Sequence, residues 1–87
     1  MKSIYAITPS GIDFKKLINE IEKMLSLGIK LFQYREKSLS EEQLKNNASI
    51  LLEVIKKNNG KLIINDSPRI AVEIGADGFH LGKEDYL

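Results

Sequence analysis

The chain switches repeatedly between two hydrophobic patterns. Residues 3–7 (SIYAI) form a short apolar run, closed by the turn-forming cluster Thr8-Pro9-Ser10-Gly11. From Asp13 the period changes. Phe14, Leu17, Ile18, Ile21, Met24 and Leu25 recur at spacings of three and four with lysines and glutamates between them, which predicts an amphipathic helix. Asp13 stands where an N-cap belongs, and Gly28 where a left-handed stop belongs. Residues 29–34 predict a second strand. Ser40-Glu41-Glu42-Gln43 has capping-box spacing, with the hydroxyl at the N-cap and the amide three residues on. Leu44, Ala48, Leu51, Leu52 and Ile55 continue as an apolar stripe until Asn58-Asn59-Gly60 ends the helix. Leu62-Ile63-Ile64 predicts a third strand. Ser67 as cap and Pro68 at the first helical position then open a short helix, which Gly75 ends. Gly78-Phe79-His80-Leu81 predicts a fourth strand.

The order is therefore β-α-β-α-β-α-β. Strands alternating with helices imply βαβ units and a parallel sheet, an α/β fold. No linker or low-complexity stretch divides the chain, so residues 1–87 read as one domain. Polar clusters follow the last three strands: QYREK at 33–37, Asn65-Asp66, and HLGKED at 80–85. All three fall at C-terminal strand ends, on one rim, and in parallel α/β folds ligands bind at that rim.

Composition narrows the partners. The 87 residues carry 13 basic and 12 acidic side chains, well mixed, for a net charge of +1. That balance provides no electrostatic footprint for nucleic acid or for an anionic membrane. The absence of cysteine excludes a disulfide framework and a thiolate metal site. The N-terminal apolar run is too short for a signal peptide, and no segment approaches the roughly 18 apolar residues of a spanning helix. The expectation is a soluble, cytoplasmic protein. A chain this short buries only about 60% of its unfolded surface, so it needs one small core or oligomerisation.

Three clusters carry candidate chemistry. If Gln33, Arg35 and Lys37 continue the strand, they share a face and form a wall for an anion: an amide, a planar guanidinium fork and a flexible ammonium. The alternative is a solvated loop whose cations pair with Glu36, Glu41 or Glu42. Asn65-Asp66 serves equally as the start of a turn, with Asp66 favouring the next helix N-terminus. Asp85 follows the fourth strand. Adjacent parallel strands lie about 4.8 Å apart, so Asp66 and Asp85 could share one cation, and magnesium suits one or two carboxylates completed by water and phosphate. His80 reads as a structural histidine hydrogen-bonded inside the sheet. A nucleophile elbow, a Walker loop and a dinucleotide fingerprint are all missing.

Taken together, YAIT at 5–8, QYREK and LIINDSPRIAVEIGADGFHLGKED at 62–85 resemble the N-terminal part of the thiamine-phosphate synthase family. The resemblance spans essentially all 87 residues. Its specific part is the ordered series of Asn-Asp, helix, GADG, HLG and a final Asp. GADG alone occurs in many (β/α)8 barrels. The resemblance implies a four-stranded N-terminal half of a TIM (β/α)8 barrel. It also implies a transferase of thiamine biosynthesis, which couples hydroxymethylpyrimidine diphosphate to thiazole phosphate and releases diphosphate with Mg2+. By motif, Gln33, Arg35, Lys37 and Asn65 would bind the pyrimidine diphosphate, and Asp66 and Asp85 would hold the magnesium. The thiazole tautomerases, a sister group, share the fold without the full metal set, so the two aspartates beside QYREK favour the synthase.

The length departs from the family. Four strands and 87 residues compare with about 200 or more for a complete barrel. Three expectations follow in order: a truncated product or fragment of a longer protein, a homo-oligomer in which two copies close one barrel, or a non-catalytic binding module. On any of them the isolated chain is expected not to make thiamine phosphate.

Overall fold

The computed structural model of the chain describes residues 5–81. Its elements are β1 (Tyr5–Ile7), α1 (Phe14–Ser26), β2 (Leu31–Tyr34), α2 (Glu41–Lys57), β3 (Lys61–Asn65), α3 (Pro68–Ile74) and β4 (Gly78–His80). All strand pairs are parallel, and the strands lie side by side in chain order, β1-β2-β3-β4.

Local chemistry starts and stops each helix. The Asp13 carboxylate accepts the Lys16 N–H at 3.2 Å and caps α1. At α2 both halves of the capping box form: Ser40 Oγ accepts the Gln43 N–H at 3.2 Å, and Gln43 Oε1 accepts the Ser40 N–H at 3.4 Å. Ser67, by contrast, holds the N-cap position of α3 without a side-chain cap bond; Pro68 at the first helical position opens that helix.

All three helices close with the same device. A left-handed residue donates its N–H three residues back, and its successor donates five residues back. At α1 these are Gly28 to Leu25 and Ile29 to Met24; at α2, Asn59 to Lys56 and Gly60 to Ile55; at α3, Gly75 to Val72 and Ala76 to Ala71. The left-handed position after α2 thus belongs to Asn59, with φ 61°. Gly60 is needed for another reason: it is buried against Ile55 and the Lys30 carbonyl. The same closure explains why β2 begins at Leu31 rather than at residue 29, since Ile29 is still tied to α1.

Strand register decides which residues meet. Ile7, Gln33, Ile63 and Gly78 are aligned across the sheet, as are Tyr34, Ile64 and Phe79, and Asn65 with His80. Phe32, Tyr34, Leu62 and Ile64 point to one face. There they join Leu17, Ile21 and Leu25 of α1, Leu44, Ala48, Leu51 and Ile55 of α2, and Ile70 and Ala71 of α3 in one buried cluster. The helices therefore cover a single face. The residues of opposite parity lie on the bare side, where Ile7 is 50% exposed. Sequential strand order with one-sided helical cover is the wall of a (β/α)8 barrel; a doubly wound sheet carries helices on both faces. No helix of the described residues is long and apolar enough to cross a membrane.

Candidate functional site

The C-terminal ends of the strands carry a network that joins the loop after β1 to the loop after β2. The buried Thr8 donates its N–H to the Gln33 carbonyl at 3.0 Å, and its Oγ1 accepts the Arg35 N–H at 3.0 Å. Ser10 Oγ donates to the Arg35 carbonyl at 3.1 Å. The Glu36 carboxylate accepts the Gly11 N–H, at 2.9 Å to one oxygen and 3.3 Å to the other. The same carboxylate accepts the Ser38 hydroxyl at 3.2 Å and the Ser38 N–H at 3.4 Å. The Gly11 bond first, with the Ser38 donors in support, outweighs partial burial and holds the Glu36 carboxyl below the usual glutamate range.

These contacts change the geometry expected of QYREK. Extended pairing ends at Tyr34, so Gln33, Arg35 and Lys37 do not form one row along a strand. Gln33 is held in the sheet and buried, whereas Arg35 and Lys37 are exposed on the following loop. Tyr34 belongs to the helix-covered face: burial pushes its phenol pKa up, and a hydrogen bond with Asn47 opposes the rise.

Lys37 reaches the end of the next strand. Its Nζ lies 3.5 Å from Asp66 Oδ2, the oxygen that also accepts the Asn65 Nδ2 hydrogen bond at 2.8 Å. Asp66 sits at φ 60°, a left-handed conformation that aspartate tolerates better than most residues. Its N–H donates to the His80 carbonyl at 2.7 Å, which fixes the turn between β3 and α3. Lys37, Asn65 and Asp66 line a cavity of about 270 Å³ together with Glu36, Leu39 and Ser67. Gln33 instead lines a separate cavity of about 400 Å³, with Leu31, Phe32, Ile63, Phe79 and His80.

The rim thus brings together Lys37, Asn65 and Asp66 and leaves Gln33 below them in the sheet. Asp85 lies outside the described residues. Among the described residues no group of three or more His, Cys, Asp or Glu side chains is placed to hold a metal ion. His80 is exposed rather than enclosed in the sheet, because among the described residues β4 is paired on one side only, with β3. Glu36, which the sequence offered only as an ion-pair partner for the neighbouring cations, instead takes the Gly11 and Ser38 donors and ties the two loops together. Its signal was present: an acid between two cations, offset by one residue from both.

A parallel sheet in sequential strand order, covered by helices on one face, defines part of a (β/α)8 barrel, and its C-terminal rim presents a lysine, an amide and a carboxylate to one cavity. The family model described as thiamine monophosphate synthase matches residues 4–86, and the chain belongs to that family. It is 42% identical over 82 residues to the thiamine-phosphate synthase of Nitrosospira multiformis, covering 94% of this chain and 35% of that protein. Against the thiamine-phosphate synthase of Methanobrevibacter smithii the identity is 40% over 83 residues, covering 95% and 40%. The fold matches that of a thiamine phosphate pyrophosphorylase from Pyrococcus furiosus with a TM-score of 0.82 at 21% identity, over 98% of this chain and 41% of that one. The chain therefore spans 35–41% of the length of these relatives. The expected N-terminal half of a TIM barrel is what the fold comparison supports.

Proposed function

We propose that this chain carries the pyrimidine-diphosphate half of a thiamine-phosphate synthase site. In this reading Arg35 and Lys37 bind the diphosphate of hydroxymethylpyrimidine diphosphate. Gln33 and Asn65 contact the same substrate. Asp66, with Asp85, holds magnesium. The observation that carries the reading is the meeting of Lys37 Nζ and Asp66 Oδ2 at 3.5 Å, from two different strand ends, in a chain of this family.

The donor set fits the metal. Asp66 supplies a hard carboxylate oxygen beside a cavity open to phosphate, and magnesium takes one or two carboxylates and completes its octahedron with water and phosphate oxygens. When bound, magnesium supplies charge neutralisation that makes diphosphate a better leaving group. The rest falls to the side chains. Arg35 offers a planar fork to phosphate oxygens, and Lys37 exchanges Asp66 for a phosphate oxygen of the ligand. Asn65 Nδ2 holds the Asp66 carboxylate in orientation. With its charge so countered, diphosphate departs as the thiazole ring nitrogen of thiazole phosphate attacks the methylene carbon.

The test is calorimetric titration of the full chain with hydroxymethylpyrimidine diphosphate, with and without magnesium. Binding should need the metal. Arg35→Met and Lys37→Met should each weaken it about tenfold, the worth of one charge-assisted contact, and Asp66→Asn should remove the metal dependence. Wild-type binding unaffected by all three substitutions would overturn the reading.

A further inference from the structure

We propose that Glu36 is a positioning residue, whose carboxylate fixes the loop after β2 that carries Arg35 and Lys37 and presents Lys37 to the ligand cavity. The inference rests on the function proposed above and adds to it a residue whose carboxylate is engaged by the protein's own N–H and hydroxyl donors. Arg35 and Lys37 lie past the last paired residue of β2, where no ladder holds the backbone. Each carries a long, rotamer-rich side chain, so delivery of their charges depends on where the loop holds their Cα atoms.

The loop is held from across the gap between strands. Gly11 belongs to the preceding loop, 25 residues away in sequence, and its N–H meets both Glu36 oxygens. The bonds from Ser38 close the far side of the loop on the same carboxylate. The bonds of Thr8 and Ser10 to the Arg35 backbone run in parallel with this contact, and beyond Arg35 the Glu36 carboxylate continues the tie to the preceding loop.

Glu36 could have served otherwise. An acid between two cations in sequence is well placed to pair with either and to cancel the charge the site needs. The loop instead turns it toward N–H and hydroxyl donors, while Lys37 pairs with Asp66. An acidic residue is compatible with an anion site here because its charge is met by N–H and hydroxyl donors. Gly11 takes part through a backbone at φ +78°, where a side chain would be strained.

The experiment compares Glu36→Ala, Glu36→Gln and Arg35→Met in the full chain. It reads amide hydrogen exchange of Gly11 and Ser38 without ligand, and affinity for magnesium diphosphate. Glu36→Ala should lose protection at both amides and weaken diphosphate binding about tenfold. Glu36→Gln retains an acceptor oxygen and should recover most of both, a rescue that a fault in general stability would not show. If Glu36→Ala deprotects Gly11 and binds like wild type while Arg35→Met is impaired, the positioning role is wrong and the site reading stands. If the wild type does not bind magnesium diphosphate, the site reading falls, and the positioning role with it. Unchanged Gly11 and Ser38 protection in Glu36→Ala refutes the contact itself. Should the alanine variant fail to fold, Ser38→Ala removes one donor and must give a smaller loss in the same direction.

Discussion

Replacing Gly60 by alanine should damage the fold, although Gly60 has no left-handed backbone to excuse it. An added Cβ would stand 2.8 Å from Ile55 Cγ2, 3.0 Å from the Lys30 carbonyl oxygen and 3.3 Å from the Ile55 carbonyl oxygen. None of the three can step aside. Ile55 is fully buried, the Lys30 carbonyl accepts the Lys61 N–H at 2.7 Å, and the Ile55 carbonyl accepts the Gly60 N–H at 2.9 Å. Overpacking of a fixed site costs about 1–3 kcal/mol, and the two backbone neighbours put this site in the upper half of that range. The stiffer unfolded chain of alanine offsets about 0.4–1 kcal/mol. The net loss is about 1–2.6 kcal/mol, which for a domain of this size lowers the melting temperature by about 4–20 °C. Asn59→Gly is the matched comparison, because Asn59 occupies the left-handed position where glycine is at least as good. Thermal melts followed by circular dichroism should show Gly60→Ala well below wild type and Asn59→Gly at or above it. A Gly60→Ala chain that melts with the wild type would refute the close-approach argument.

Two further outcomes follow from the strand and helix starts. Asp77 accepts the Leu62 N–H at 2.8 Å and pairs with Lys56; burial opposes its ionisation, but these partners outweigh it and hold its pKa below the ordinary range. A depressed carboxyl stabilises above its unfolded pKa and loses that contribution as pH falls through the folded one. Asp77→Ala should therefore cost about 1–3 kcal/mol at pH 7, and the gap to wild type should shrink below about pH 4. Urea midpoints at pH 7 and pH 3 read this directly, and a gap that stays constant would count against it. Ser40→Ala removes the hydroxyl of the α2 capping box and should lower stability by about 1 kcal/mol in the same denaturation assay, whereas Ser67→Ala should cost less because Ser67 makes no cap bond.

Local signals carried most of the fold. The amphipathic spacing of 14–25 and the capping box at Ser40 are contained in a few consecutive residues, and both form as spelled. Where the pattern misled, a longer-range contact decided. Ile29 looked like strand because it is apolar, but its N–H closes α1 on Met24. Arg35 and Lys37 looked like strand because they alternate, but ladder pairing stops at Tyr34 and Thr8, Ser10 and Gly11 take the loop's polar groups instead. His80 looked enclosed, and only the strand order of the described residues shows β4 paired on one side. The pairing of Lys37 with Asp66 bridges 29 positions of sequence, and a single sequence shows the two residues without showing that they meet.

The two ends of the sheet divide the work. At the N-terminal ends of the strands Gly60, Lys30, Lys61, Leu62 and Asp77 lock α2 and β3 to their neighbours through short, partly buried backbone contacts. At the opposite ends Lys37 and Asp66 meet as an exposed pair, worth about 0–1 kcal/mol of stability. In (β/α)8 barrels the first end serves stability and the second serves ligands, and here the physical cost of each contact makes the same division. Lys37→Met should leave the melting temperature nearly unchanged and weaken magnesium-diphosphate binding, while Gly60→Ala, measured well below its own melting temperature, should do the reverse. Parallel losses in both assays for either variant would mean that the rim also holds the fold together. The Lys37–Asp66 contact would then be structural rather than the place where a ligand enters.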